Sequence, residues 1–403
     1  MNPVTVALVG VSGYAQTHYD QLMKWRELGR VRIAAATIIN QPQEQEKCDA
    51  LRAAGCEIFE DFERMLATWR GKLDLCIIPT GIHLHATMTN AALAAGCHVL
   101  LEKPAAATTQ EVDSMIAASA AAGRFVAVGF QHMYAPEVHD LKQAVLGGLI
   151  GEVECIKCMG LWPRSSDYYG RNNWAGRLRV NSSWVLDAPF SNAFAHWLNL
   201  LCFLAGPTPA EAGHPRSILA ELYRARDIES ADTACLRIDA GFPLFLWVTH
   251  SCPENIHPIL EVRGTKGTIR WADGRMILHS DGKEALFRTA ISMQETQALM
   301  YQSVLGRAAA GADFLCDLAN ARNQTLCSNG AFESSRIHRI APEFLAPGDT
   351  GLPRIAGIES LFRSAFYEEK LFSELGVEWA HPGASVDLES YPGFQGPAHG
   401  SGG

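Results

Sequence analysis

The run His98-Val-Leu-Leu-Glu-Lys-Pro104 is an apolar stretch that ends in two opposite charges and a proline. Val99-Leu100-Leu101 reads as a strand buried in a parallel sheet. That reading sets Glu102 and Lys103 at the strand's carboxyl end, where open α/β sheets bind their ligands. Pro104 stops the ladder and stiffens the turn that carries Lys103. The ordinary alternative is a plain strand exit with solvated charges. A second set is Gly10-Val-Ser-Gly-Tyr-Ala15, a glycine turn whose N–H groups and following helix suit a pyrophosphate. Ser12 stands where a second glycine is usual and Ala15 where a third is. Ser12 adds a Cβ near the phosphate but can also donate a hydrogen bond. Gly10, Ser12, Gly13, Tyr14 and Ala15 are therefore candidate cofactor contacts.

A third set is Trp162-Pro-Arg-Ser-Ser-Asp-Tyr-Tyr-Gly-Arg-Asn-Asn-Trp-Ala-Gly176. Aromatics, arginine and amides together bind sugars by stacking and by bidentate hydrogen bonds. Arg164, Tyr168 and Trp174 are the candidates for substrate contact, with an aromatic packing loop as the alternative. His250, at the end of an apolar strand, faces the site or is a buried, hydrogen-bonded histidine. Gln131 leaves the last strand of the first half as a nicotinamide or substrate contact, or as a hinge.

The elements that must position these residues follow from hydrophobic periodicity. Val4–Val9, the glycine turn, a helix to Gly29 and a strand at 31–36 make a mononucleotide-binding unit. An acid that binds the adenosine ribose is expected after the second strand, but the sequence there is Ala36-Thr-Ile-Ile-Asn40. Thr37 occupies the place of the acid and Asn40 reaches for a ribose hydroxyl, which leaves NAD and NADP both open. The alternation continues through a strand at 73–78 that enters Pro79-Thr80, with His85 ahead of a helix as a cap, a packing residue or a cofactor contact. Six strands ending near residue 130 make a doubly wound α/β sheet. Beyond Gln131, strands at 152–159, 218–225, 233–238, 244–251, 259–263, 268–271 and 275–279 are joined by long loops. With helices at 192–205, 294–309 and 313–333 they predict an α+β domain on a large, mostly antiparallel sheet. The expected domains are 1–130, 131–391 and a Gly-rich flexible tail, 392–403. No internal repeat is visible.

The chain has 403 residues, 48% hydrophobic and 19% charged, with a formal net charge of -9, which is ordinary for a two-domain globular enzyme. No basic block marks a nucleic-acid partner, and no apolar run reaches membrane-spanning length. The amino terminus lacks a basic n-region, so a cytoplasmic location is expected. Eleven cysteines, scattered through predicted elements, fit a reduced compartment. Cys155 and Cys158 lie three apart on a predicted strand, so their side chains face opposite ways. No metal site is expected.

Taken together, these residues resemble the Gfo/Idh/MocA oxidoreductase family. The matching stretches are the glycine turn at 10–15, Pro79-Thr80 with His85, Ala95-Gly-Cys-His-Val-Leu-Leu-Glu-Lys-Pro104, Val128-Gly-Phe-Gln131 and Gly148-Leu-Ile-Gly-Glu-Val153. The resemblance covers roughly residues 3–380 and is strongest over the first 155. It implies a Rossmann domain binding NAD or NADP, a substrate domain, a sugar or polyol substrate and a homo-oligomer formed through the second sheet. It further implies that Lys103 points at the substrate and Glu102 at the cofactor. The family's Asp-x-x-x-His element maps His196 as the matching histidine and places Asn192 where the acid is usual. Asn192 precedes His196 by one helical turn, on the same face; Asp187 is out of register.

Oxidising a carbinol requires hydride removal to nicotinamide and proton removal from the hydroxyl. His196 suits the proton transfer, and the Lys103 ammonium suits the developing alkoxide. The expected activity is an NAD(P)-dependent dehydrogenase of a sugar, sugar acid or cyclitol. The alternatives are a catalytically silent sugar or dinucleotide sensor, and a tightly NAD-bound lyase or glycosidase-type relative.

Overall fold

The computed structural model describes residues 2–311, 314, 316–347 and 353–398. The chain forms two compact units. The first comprises Met1–Ala106, Gln110–Tyr134 and Ser292–Ala321, the second Ala107–Thr109, Ala135–Ile291 and Arg322–Gly403.

In the first unit, strands and helices alternate: β1 (Val4–Val9), α1 (Ala15–Glu27), β2 (Val31–Thr37), α2 (Gln45–Ala53), β3 (Glu57–Phe59), α3 (Phe62–Thr68), β4 (Leu75–Ile78), α4 (His85–Ala94), β5 (His98–Leu101), α5 (Thr109–Ala122) and β6 (Val126–Val128). The six strands are parallel in the order β3-β2-β1-β4-β5-β6, a doubly wound sheet. Val6, Leu8, Ile77, Val99 and Leu100 are fully buried, as covering a parallel sheet on both faces requires. The winding reverses between β1 and β4, which opens the ligand crevice at the carboxyl ends of the strands.

In the second unit, α6 (Pro136–Leu146) leads into β7 (Val153–Leu161), α7 (Ser166–Gly170), a ribbon of β8 (Arg179–Val180) and β9 (Ser183–Trp184), and α8 (Ala195–Leu204). Next come β10 (Ser217–Arg224), β11 (Thr233–Asp239), β12 (Pro243–Thr249), β13 (Ile256–Gly264), β14 (Gly267–Ala272), β15 (Arg275–Ser280) and β16 (Lys283–Thr289). The chain continues through α9 (Met293–Ala310), α10 (Leu318–Ser334), β17 (Ile337–Arg339), β18 (Leu345–Ala346), β19 (Arg354–Ile355), α11 (Ile358–Glu368) and β20 (Val386–Asp387). The large sheet runs β16-β15-β14-β13-β7-β12-β11-β10-β17, with β20 against β10. It is antiparallel apart from the β7/β12 and β10/β17 pairs. Strand alternation puts Cys155 in the core under α11 and Cys158 on the opposite face. All eleven cysteines are buried and outside any disulfide.

Three features differ from the sequence expectation. Helix α9, expected in the second domain, groups with the first unit, because Tyr301 on it bonds His18 of α1 at 2.7 Å. Helix α8 begins at Ala195, so Asn192 lies in the turn before it and shares no helical turn with His196. The expected flexible tail is held as far as Ala398: Phe394 is buried against Trp184, and Ala398 N–H donates to Phe332 O at 2.8 Å. Residues 399–403 lie outside the described ones, as do 313 and 315 at the start of the expected helix 313–333.

Candidate active site

In the first unit, the turn before α1 has Gly10 at φ 80° and Gly13 at φ 58°, backbone that a Cβ would strain. The N-terminus of α1 faces this turn and carries no acid in its first turn, which suits an anion. Ser12 is tied to the loop after β2. Its Oγ donates to Glu44 Oε1 at 2.7 Å and accepts from Asn40 Nδ2 at 2.9 Å. Lys47 Nζ donates to Glu44 Oε2 at 2.6 Å and to Val11 O at 2.9 Å. Lys47 first, and Ser12 second, hold the Glu44 carboxyl below the usual range. Glu44 thus places a carboxylate beside the glycine turn, in the loop after β2. Thr37, expected in the ribose-binding role, is buried, with its hydroxyl donating to Met65 Sδ at 3.3 Å.

Around β5, the Glu102 carboxylate is buried. It accepts the Lys103 N–H at 3.0 Å and lies 3.0 Å from His18 Nε2. Tyr301 Oη bonds the other ring nitrogen of His18, so a Tyr301–His18–Glu102 chain fixes the residue before Lys103. Lys103 itself is half-buried. His85 is fully buried, with Nδ1 2.9 Å from Pro104 O and Nε2 3.1 Å from Thr80 O. It links the exits of β4 and β5, and its ring is closed off from a cofactor. Burial lowers its pKa, and with a single N–H the neutral ring donates to one of these two carbonyls at a time. Thr80 Oγ1 is buried with no partner, and Pro79 beside it is half-buried. The Tyr14 hydroxyl lies near the side chains of Gln297 and Gln131, and Gln131 Nε2 lies 3.0 Å from Met293 Sδ. A left-handed glycine turn, a helix N-terminus and an orphaned hydroxyl at the strand ends fit a dinucleotide.

In the second unit, Arg164, Tyr168, Trp174 and His250 come together as one cluster. The Tyr168 ring lies 5.7 Å from the His250 ring, and Arg164 Cζ lies 4.8 Å from the Tyr168 ring. Arg171, which sequence reasoning did not single out, lies 3.6 Å from the Tyr168 ring and 5.1 Å from Trp174. Trp162 stacks on Phe194 at 4.2 Å, immediately before α8 and His196. His250 is buried, with Nδ1 2.9 Å from Trp162 O. Burial, then Arg164, push its pKa well down, so it is neutral. His196 is buried as the second residue of α8. Asn192 Nδ2 donates to Asp187 Oδ1 at 2.7 Å, and Asp187 Oδ2 accepts Gly176 N–H at 2.6 Å. Asp187, out of register in sequence, therefore brings a buried carboxylate to Asn192. The only sequence signal for it was an acid near the expected position.

Two family models match the chain: the oxidoreductase family, NAD-binding Rossmann fold, over residues 4–130, and the Gfo/Idh/MocA C-terminal domain over residues 138–270. The chain belongs to the Gfo/Idh/MocA oxidoreductase family, and its first unit is the family's NAD-binding Rossmann fold. D-glucoside 3-dehydrogenase of Escherichia coli K12 is 26% identical over 153 residues, 38% of this chain and 42% of that protein. Inositol 2-dehydrogenase of Azotobacter vinelandii is 24% identical over 227 residues, 56% of this chain and 61% of that protein. In both, the match spans less than two thirds of the relative. Among solved structures, the WlbA dehydrogenase of Bordetella pertussis in complex with NADH and UDP-GlcNAcA superposes with a TM-score of 0.68 at 22% identity, covering 82% of this chain and 96% of that one. Levoglucosan dehydrogenase in complex with NADH gives a TM-score of 0.69 at 17% identity, with the same coverage of each chain. These likenesses show a shared fold. Among the described residues no helix is long and apolar enough to cross a membrane.

Proposed function

We propose that this protein is an NAD-dependent dehydrogenase of a sugar or cyclitol hydroxyl. The observation that carries the reading is the anchoring of Lys103. Its N–H is held by Glu102, and the next residue's carbonyl is held by His85, at the carboxyl end of β5 in a Rossmann sheet. Gly10, Ser12, Gly13, Tyr14, Ala15 and Thr80 would hold the dinucleotide, and Glu44 would sit at its adenosine ribose. When bound, the nicotinamide supplies the hydride acceptor. Lys103 orients the substrate hydroxyl and stabilises its developing negative charge. His196 takes the hydroxyl proton. Asn192, backed by Asp187, hydrogen-bonds the substrate and restores negative charge near the base.

That buried carboxylate supports an enzyme over a silent sensor, because it returns negative charge where Asn192 stands in place of the usual acid. Glu44 favours NAD over NADP by opposing a 2′-phosphate. We infer a soluble homo-oligomer. Any contact through the large sheet uses its β14–β16 side, because α11 covers β7 and β12.

The test is direct. Wild type shifts its melting temperature with NAD(H) and reduces NAD in the presence of a polyol or sugar acid. Lys103→Ala keeps NAD binding and the fold but loses turnover by about 100-fold or more. Full activity in that variant sinks the mechanism.

A further inference from the structure

The cluster around Tyr168 carries more positive charge than a neutral sugar requires. Arg164 and Arg171 both pack on the Tyr168 ring, at 4.8 and 3.6 Å from its centroid. Arg164 also lies 5.5 Å from the Trp162 ring. A third guanidinium, Arg226, is 5% exposed, lies 5.4 Å from the Tyr169 ring and donates through Nη2 to His250 O at 2.6 Å. Among the described residues, none of the three makes an ion pair. The carboxylates that act on the cluster are engaged elsewhere. Asp187 holds Asn192 and Gly176. Asp232 holds the N–H groups of Ala225 and Arg226 and the Thr233 hydroxyl.

Arginines stacked on aromatics are also ordinary packing. Packing alone leaves two facts without a reason. Nε of Arg164, and Nε and Nη1 of Arg226, are buried with no hydrogen-bond acceptor, a costly arrangement for charged donors. The positive groups also gather on one aromatic patch that abuts the start of α8, through Trp162 and Phe194. An anion arriving there neutralises the cluster and meets planar donor forks suited to two oxygens.

We infer that the substrate is an oxyanion-bearing sugar or cyclitol, a carboxylate or a phosphate ester, received by Arg164 and Arg171 across Tyr168. A neutral polyol lacks the group this cluster is built to hold. The inference rests on the dehydrogenase reading for the word substrate, but the binding is measured without turnover.

Full-length protein is titrated calorimetrically, with and without NAD, against D-glucuronate, D-gluconate, D-glucose 6-phosphate, D-glucose and myo-inositol. At least one anion binds about tenfold or more tighter than neutral D-glucose, and its affinity falls as salt rises. Binding of the acids identifies a carboxylate; binding of the phosphate ester alone identifies a phosphorylated substrate. Arg171→Gln, at an exposed position that spares the fold, weakens the anion about tenfold and leaves NAD affinity and melting temperature unchanged. Arg164→Lys keeps the charge, loses the fork and weakens it less. Equal binding of glucose or inositol, no binding by any anion, or an unaltered Arg171→Gln variant overturns the inference. Anion binding without NAD reduction leaves it standing and removes the dehydrogenase reading. Oxidation of neutral polyols alone does the reverse.

Discussion

The Asp187 carboxylate accepts the Asn192 amide at 2.7 Å, and both side chains are buried. In the proposed mechanism the pair divides between two residues what a single acid would do, since Asn192 presents the amide and Asp187 supplies the charge. Asp187→Asn keeps the volume and removes that charge. Its expected effect is a kcat about 10- to 100-fold lower, the worth of a hydrogen bond to a charged group, with NAD affinity unchanged. Asn192→Asp instead sets two carboxylates side by side, which raises the pair's apparent pKa and moves the pH–rate profile to higher pH. Steady-state kinetics across pH decide the matter; an Asp187→Asn enzyme with wild-type kcat rules the pair out.

Glu44 reaches the glycine turn through Ser12 Oγ. A carboxylate there opposes a 2′-phosphate, and Lys47 partly offsets it from the other oxygen. Glu44→Gln keeps a hydrogen-bonding side chain and frees Lys47. NADP binding tightens by about three- to tenfold at low salt, while NAD binding changes little, because the part-buried charges are still screened by solvent and salt. Calorimetric titration of both dinucleotides at two ionic strengths checks this. An unchanged NADP/NAD ratio would show that the acid sits away from the ribose.

These two cases mark where sequence reading stops. The β5 run with Glu102-Lys103-Pro104, the glycine turn and the alternation of six strands were legible because each is local: an apolar run, a helix period, a proline. Glu44, Asp187 and Tyr301 were not. Glu44 meets Ser12 across 32 positions and Tyr301 meets His18 across 283, and no pattern within either segment announces the pairing. The same holds for the surroundings of Thr37. Its position matched the expected acid, but Met65, which draws its hydroxyl inward, comes from α3. The cluster at 162–176 was visible as a composition. Its charge imbalance became visible only when Arg226 was placed behind it.

Burial lowers the pKa of His98 and His132 to about 4, and lowers those of His85 and His250 as well. A lowered folded-state pKa means that the unfolded chain binds protons first as pH falls. Stability is therefore full above about 6.5 and is lost progressively between about 6.5 and 4. His98 stacks on Phe125 and accepts the Phe125 N–H through Nδ1 at 3.0 Å, so protonation at Nδ1 breaks that bond. Because His98 is partly solvated, its share is about 1–2 kcal/mol rather than the full shift. His98→Asn keeps an acceptor and removes the titration. Urea unfolding at pH 7.5 and pH 5 should show a smaller acid loss in that variant than in wild type. An identical pH dependence would remove His98 from the account.

Phe366 of α11 is fully buried against the sheet, 5.9 Å from the Trp247 ring, with Lys157 Nζ 4.7 Å from its own ring. The adjacent Tyr367 is 61% exposed on the other side of the helix. Phe366→Ala should cost about 3–5 kcal/mol through lost burial and a residual cavity, whereas Tyr367→Ala should stay within about 0.5 kcal/mol. Loosening α11 also uncovers Phe245 and Trp247 on the sheet face, a patch that favours association between chains. Light scattering should therefore show concentration-dependent self-association in Phe366→Ala and none beyond the wild-type assembly in Tyr367→Ala. If both variants lose the same stability and keep the wild-type size, α11 is a passive cover and the sheet face beneath it is not latent interface.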